Sequence, residues 1–149
     1  MLEMLTESDI IKIKKLCKEL SKQGIYCNAD PDEFITYLTA TSYETDSFTT
    51  KDILDNKYLL IHELIEITIL KSKGYSIDKE VFKKAFPDSY EAHLDAIDLE
   101  LYIASKNGDF DWIKKRINDL RTYLDDPLLP IHLVDKVKNI INRYRALIK

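Results

Sequence analysis

The segment Lys57–Lys71, KYLLIHELIEITILK, is apolar on nearly every side of a helical wheel, yet it holds His62, Glu63 and Glu66 at its middle. A helix that is hydrophobic all round belongs inside a fold. Ionisable groups carried into an interior must be neutralised, paired or bound to metal, because an isolated buried charge is costly. At about 100° per residue, His62 and Glu66 are neighbours one turn apart, and Glu63 is likewise one turn from Glu66. The sequence therefore predicts a buried central helix, over about residues 51–73, with a polar stripe in its core.

A second segment repeats the anomaly. On the helix predicted over residues 89–106, Glu91, Asp95, Asp98, Tyr102 and Ser105 gather on one narrow wet face, and the remaining arc is apolar. Within that arc lie His93 and Glu100, two turns apart, with the small Ala96 between them.

The rest of the chain supplies helices and their punctuation. Thr6 or Ser8 caps a first helix that ends before Gly24, with Ile10, Ile13, Leu16, Cys17 and Leu20 inward and a lysine-rich solvated face. Asp30-Pro31-Asp32-Glu33 is a helix start with Asp as cap, Pro at the first position and Glu at the third. Residues 44–48 read as a loop, after which Thr49 or Thr50 caps the central helix, closed by Gly74. Ser76 caps a short helix to about Ala85, and Pro87 precedes the second polar-cored helix. Asp109 caps a helix bearing Phe110, Ile113, Ile117 and Leu120, in which Trp112 reads as an aromatic anchor. Breaks at Pro127 and Pro130 lead to a last helix with Val134, Val137, Ile140, Ile141, Tyr144 and Leu147 inward; His132, in its first turn, reads as a surface residue. No segment alternates with the period of a strand. The expected fold is all-α, a single-domain bundle (1–149) of six or seven helices around the central one, packed on helix 89–106.

At 149 residues, 45% hydrophobic and 32% charged, the chain has the makings of one ordinary core. Only 3 glycines and 4 prolines leave no room for a long flexible linker. The net charge of −4 gives no reason to expect nucleic acid as the main partner, and binding through the lysine-rich first helix ranks low on the same ground. The acidic start does not read as a signal peptide, and the longest apolar run is too short to span a bilayer, so a cytoplasmic location is expected. Cys17 and Cys27 form no CxxC motif and are expected to be reduced there.

Side chains on facing bundle helices are how all-α proteins build metal sites. Imidazole with carboxylate and no thiolate points to one divalent ion, Zn, Fe or Mn. The candidate ligands are His62, Glu66, His93 and Glu100, with Glu63 as a possible general base toward a metal-bound water acting on a small-molecule substrate in hydrolysis or oxidation. His62-Glu63-Leu-Ile-Glu66 begins like the HExxH of zinc proteases but has Glu where the second His belongs, so it carries no family assignment. The rival reading is a non-enzymatic helical interaction module, self-associating as a homo-oligomer. In it the same residues form a structural polar network with one another, a tyrosine hydroxyl, Arg116 or Arg121.

Overall fold

The structure, a computed structural model, describes residues 5–39 and 49–148. Among them there is no strand, and the helices are α1 (Glu7–Lys22), α2 (Pro31–Leu38), α3 (Thr50–Asp55), α4 (Lys57–Ser72), α5 (Val81–Lys84), α6 (Asp88–Lys106), α7 (Phe110–Tyr123) and α8 (Val134–Arg145), the last entered through a single 3-10 turn. The all-α class expected from the sequence is the class observed. No helix among the described residues is long and apolar enough to cross a membrane.

Local chemistry explains most boundaries. Thr6 and Asp30 each close a capping box, with Asp9 and Glu33 as the reciprocal partners. The expected unbroken helix over 51–73 is instead two helices. Asn56 is extended (φ −116°, ψ 115°), and its side chain accepts from the backbone N–H groups of Tyr58 and Leu59. A short amide that satisfies the free donors of a new helix start competes with continuation of the old one. The helix expected from Ser76 shrinks to α5 for a similar reason: the Asp78 carboxylate accepts from Glu80 N–H and holds a turn there. Asp109 makes no side-chain cap; its carboxylate takes the Tyr58 hydroxyl instead. Leu147, expected inward, lies past α8 and is half exposed. The loop expected at 44–48 lies outside the described residues.

Buried apolar side chains form two clusters. One joins α1 to α5 with Ala92, Ala96 and Ile103 of α6; the other joins the opposite side of α6 to α7 and α8. Thus α6 is the shared wall, and α4 packs along it while also touching α1, α2 and α3. Ala92 and Ala96 are fully buried where α4 approaches, so the small residues of α6 face the crowded side. The wet face of α6 is half covered by α8, through Lys136 with Glu91 and Asp95 and Arg143 with Asp98.

Cys17 and Cys27 are not reduced: they form a disulfide across a Cα–Cα distance of 5.3 Å. The connector after Gly24 folds back along α1, which brings the two Cα atoms within the range a disulfide spans. Closing a loop of this size is worth about 2–3 kcal/mol in the chain-entropy picture. The Cys17→Ser/Cys27→Ser variant is therefore expected to lose about that much stability in urea unfolding; a loss below about 0.5 kcal/mol would show that the connector is held by its other contacts.

Candidate metal centre

The polar cluster lies where α4, α6 and α7 meet. His62 and Glu66 come from successive turns of α4 and His93 from α6, and all three are no more than 3% exposed. His62 Nε2 is 2.8 Å from Glu66 Oε2. His93 Nδ1 is 3.0 Å from His62 Nε2 and 3.2 Å from the same Glu66 oxygen. Three donor atoms on three side chains thus converge in a nearly equilateral triangle.

Each member is held from behind. Tyr37 of α2 donates its hydroxyl to the other Glu66 oxygen, Oε1. His93 Nε2 is 2.9 Å from the Tyr123 hydroxyl of α7. His62 Nδ1 faces Glu100 Oε1 at 3.2 Å, close enough for charge pairing but off the line of a hydrogen bond; among the described residues it is the one buried side-chain polar atom left without one. Glu100 is itself clamped by Arg116, with Nε 2.8 Å from Oε2 and Nη2 3.2 Å from Oε1, and by the Trp112 indole N–H at 2.6 Å.

Of the residues singled out in the sequence, then, His62, Glu66 and His93 come together. Glu100 stands on the far side of the His62 ring. The cause is helical rise: seven residues separate it from His93, about 10 Å along the axis at about 1.5 Å per residue. Glu63 is buried on α4 but outside the converging group. Tyr37 and Tyr123 did not stand out in the sequence. Their apolar rings fit the inward faces of amphipathic helices, and no pattern reveals where a hydroxyl points.

The chain matches no family model, no curated protein and no solved structure. Chemistry must therefore be read from the cluster itself.

Burial works against an imidazolium at His62, but the Glu100 and Glu66 carboxylates outweigh it and push this histidine up to about 9. Burial likewise disfavours the Glu66 carboxylate, yet the two imidazoles hold it well below the usual range. For Glu100 burial is again opposed, first by Arg116 and then by His62, with a net downward shift. Both glutamates are ionised at neutral pH.

An ionised triangle of this kind cannot be closed by hydrogen bonds alone. An imidazole nitrogen carries either a proton or one in-plane lone pair, and a carboxylate oxygen only accepts. If both nitrogens carry protons, two N–H donors face each other at 3.0 Å. If only one does, an unprotonated nitrogen faces the carboxylate oxygen. One side is always like against like. A cation at the centre satisfies all three lone pairs together. A tetrahedral zinc ion with ligands at about 2.0–2.1 Å keeps its donors about 3.3 Å apart, within a few tenths of an ångström of the observed sides.

Proposed function

We propose that this protein binds a divalent metal ion, with Zn, Fe and Mn the candidates, through His62 Nε2, His93 Nδ1 and one oxygen of Glu66. The observation that carries the reading is the triangle of three convergent donors. Metal-ligating histidines characteristically direct their other ring nitrogen to a carboxylate or another acceptor, and ligating carboxylates are hydrogen-bonded in turn. Tyr123 does this for His93 and Tyr37 for Glu66 by hydrogen bonds, and the Glu100 carboxylate faces the other nitrogen of His62 as a charge partner at 3.2 Å. Calcium is disfavoured because it takes six to eight oxygen ligands.

Three protein ligands leave the fourth position to water or hydroxide, the arrangement of catalytic rather than structural zinc. Hydrolysis or oxidation there, with Glu63 as base, belongs to this proposal as its catalytic extension. Against that extension stands burial: donors no more than 3% exposed give a substrate no direct approach. Metal binding is the function the geometry supports best.

One observation favours the metal-free alternative, in which the same residues form a structural polar network. With His62 protonated, its charge and that of Arg116 balance Glu66 and Glu100 without an ion. Titration of chelator-treated protein with Zn²⁺ and Co²⁺ separates the two. About one equivalent should bind, with the intense visible absorption of tetrahedral cobalt, and the His62→Ala/His93→Ala variant should bind neither. A wild-type protein that takes up no Zn, Fe or Mn would end the metal reading, whatever happens in the variant.

A further inference from the structure

We propose that the Cys17–Cys27 disulfide sets the metal affinity of the His62/Glu66/His93 centre, so that reduction loosens the ion. The inference rests on the metal reading above and concerns its regulation.

A continuous set of bonds joins the two places. Cys27 sits in the connector between α1 and α2, and the disulfide fixes that connector to α1. The next residue, Asn28, donates its N–H to Thr68 Oγ1 of α4 at 3.2 Å, and its carbonyl accepts from Lys71 Nζ at 2.9 Å. Lys71 also pairs with Glu33 at 2.8 Å, and Asp30 caps α2. One side of Tyr37 then meets the centre, where its hydroxyl donates to Glu66 Oε1. The placement of this tyrosine depends on α2, which has only eight residues and is too short to hold its own shape without tertiary anchors. Its non-covalent anchors are the buried Phe34 ring, which allows small rotations of the helix, and the partly exposed Lys71–Glu33 pair, which is weak. The disulfide is the covalent one.

Reduction by a phosphine cleaves the S–S bond and forms two thiols. The phosphorus is oxidised, water supplying the oxide oxygen and both thiol hydrogens. Freed from α1, the connector and α2 gain room to move, and Glu66 loses the constant hydrogen bond that orients its ligating oxygen. Loss of an outer partner of this kind weakens metal binding about 10–100-fold.

The test compares Zn²⁺ dissociation constants for oxidised wild type, phosphine-reduced and desalted wild type, and the Cys17→Ser/Cys27→Ser, Tyr37→Phe and triple variants, with helicity monitored throughout. The serine pair excludes zinc capture by released thiols. The inference expects reduction, the serine pair and Tyr37→Phe each to weaken binding about tenfold. The triple variant should be little weaker than Tyr37→Phe alone, because both changes act through one hydrogen bond. Equal affinity in the oxidised and reduced forms would overturn the inference and leave the metal centre standing. Strictly additive effects in the triple variant would overturn the Tyr37 route. An oxidised wild type that binds no zinc would overturn the metal reading itself, and this inference with it.

Discussion

Replacing Arg116 by methionine is expected to destabilise the fold by about 3–5 kcal/mol, the cost of stranding a buried charge. Arg116 is 1% exposed and Glu100 is fully buried. Two guanidinium nitrogens reach both carboxylate oxygens, an arrangement of known strength for this residue pair. Methionine keeps most of the volume and apolar stem but leaves Glu100 with one indole N–H and an off-line imidazole. Asp119, a further partner of Arg116, is partly exposed and can turn to water. Lysine should rescue poorly, since one ammonium cannot reproduce the planar fork. Adding Glu100→Gln to Arg116→Met should restore much of the loss, because the stranded group is then uncharged. Urea unfolding of the wild type, Arg116→Met, Glu100→Gln and the double variant forms a double-mutant cycle. A loss below about 1 kcal/mol for Arg116→Met would mean that Glu100 takes up a proton or reaches water at little cost.

The prominence of Arg116 marks the limit of what the sequence displays. The polar positions of α4 and α6 were legible because each breaks an otherwise apolar arc, and buried polar groups require partners. Which partners they meet depends on how the helices are rotated against one another, and that rotation follows from packing rather than from any one helix. Nothing in the sequence separates Arg116 from Arg121 as a partner for the buried groups. In the fold the first is buried on Glu100, whereas the second is exposed and bonds Asn118. Glu100 shared a stripe with His93, but shared azimuth does not bring two groups to one ion when they stand two turns apart. Trp112 reads correctly as an aromatic packing residue, stacked on Tyr58, while its indole N–H serves a buried carboxylate. The break at Asn56 had a visible signal, a capping residue inside an apolar run, which the periodicity on either side obscured. The disulfide had none, since ten residues of separation say nothing about how a connector folds back.

Without metal, stability should fall as pH rises from about 6.5 to about 9. The sign follows from His62, whose folded value of about 9 lies above its ordinary 6.5. Its proton therefore stabilises the fold fully below 6.5, and that contribution drains away through 9. At about 1.4 kcal/mol per decade of proton affinity, the loss is about 3 kcal/mol. Glu66 and Glu100 act in the opposite window, because their folded values are depressed: their contribution is present above the ordinary 4.5 and is lost as pH falls. The metal-free network is thus most stable between these limits. Binding an ion at Nε2 expels the His62 proton, so affinity should rise about tenfold per pH unit, roughly 100-fold between pH 6.5 and 8.5. In saturating metal this gain offsets the lost proton contribution, because the loaded fold and the unfolded chain then hold His62 in the same unprotonated form. The stability curve should become flat where the metal-free curve slopes downward. Urea unfolding at pH 6.5 and 8.5, with and without Zn²⁺, measures both. Curves that stay parallel would mean that the ion does not displace the His62 proton and binds elsewhere. A widening gap would place it on the imidazole that faces Glu66 and His93.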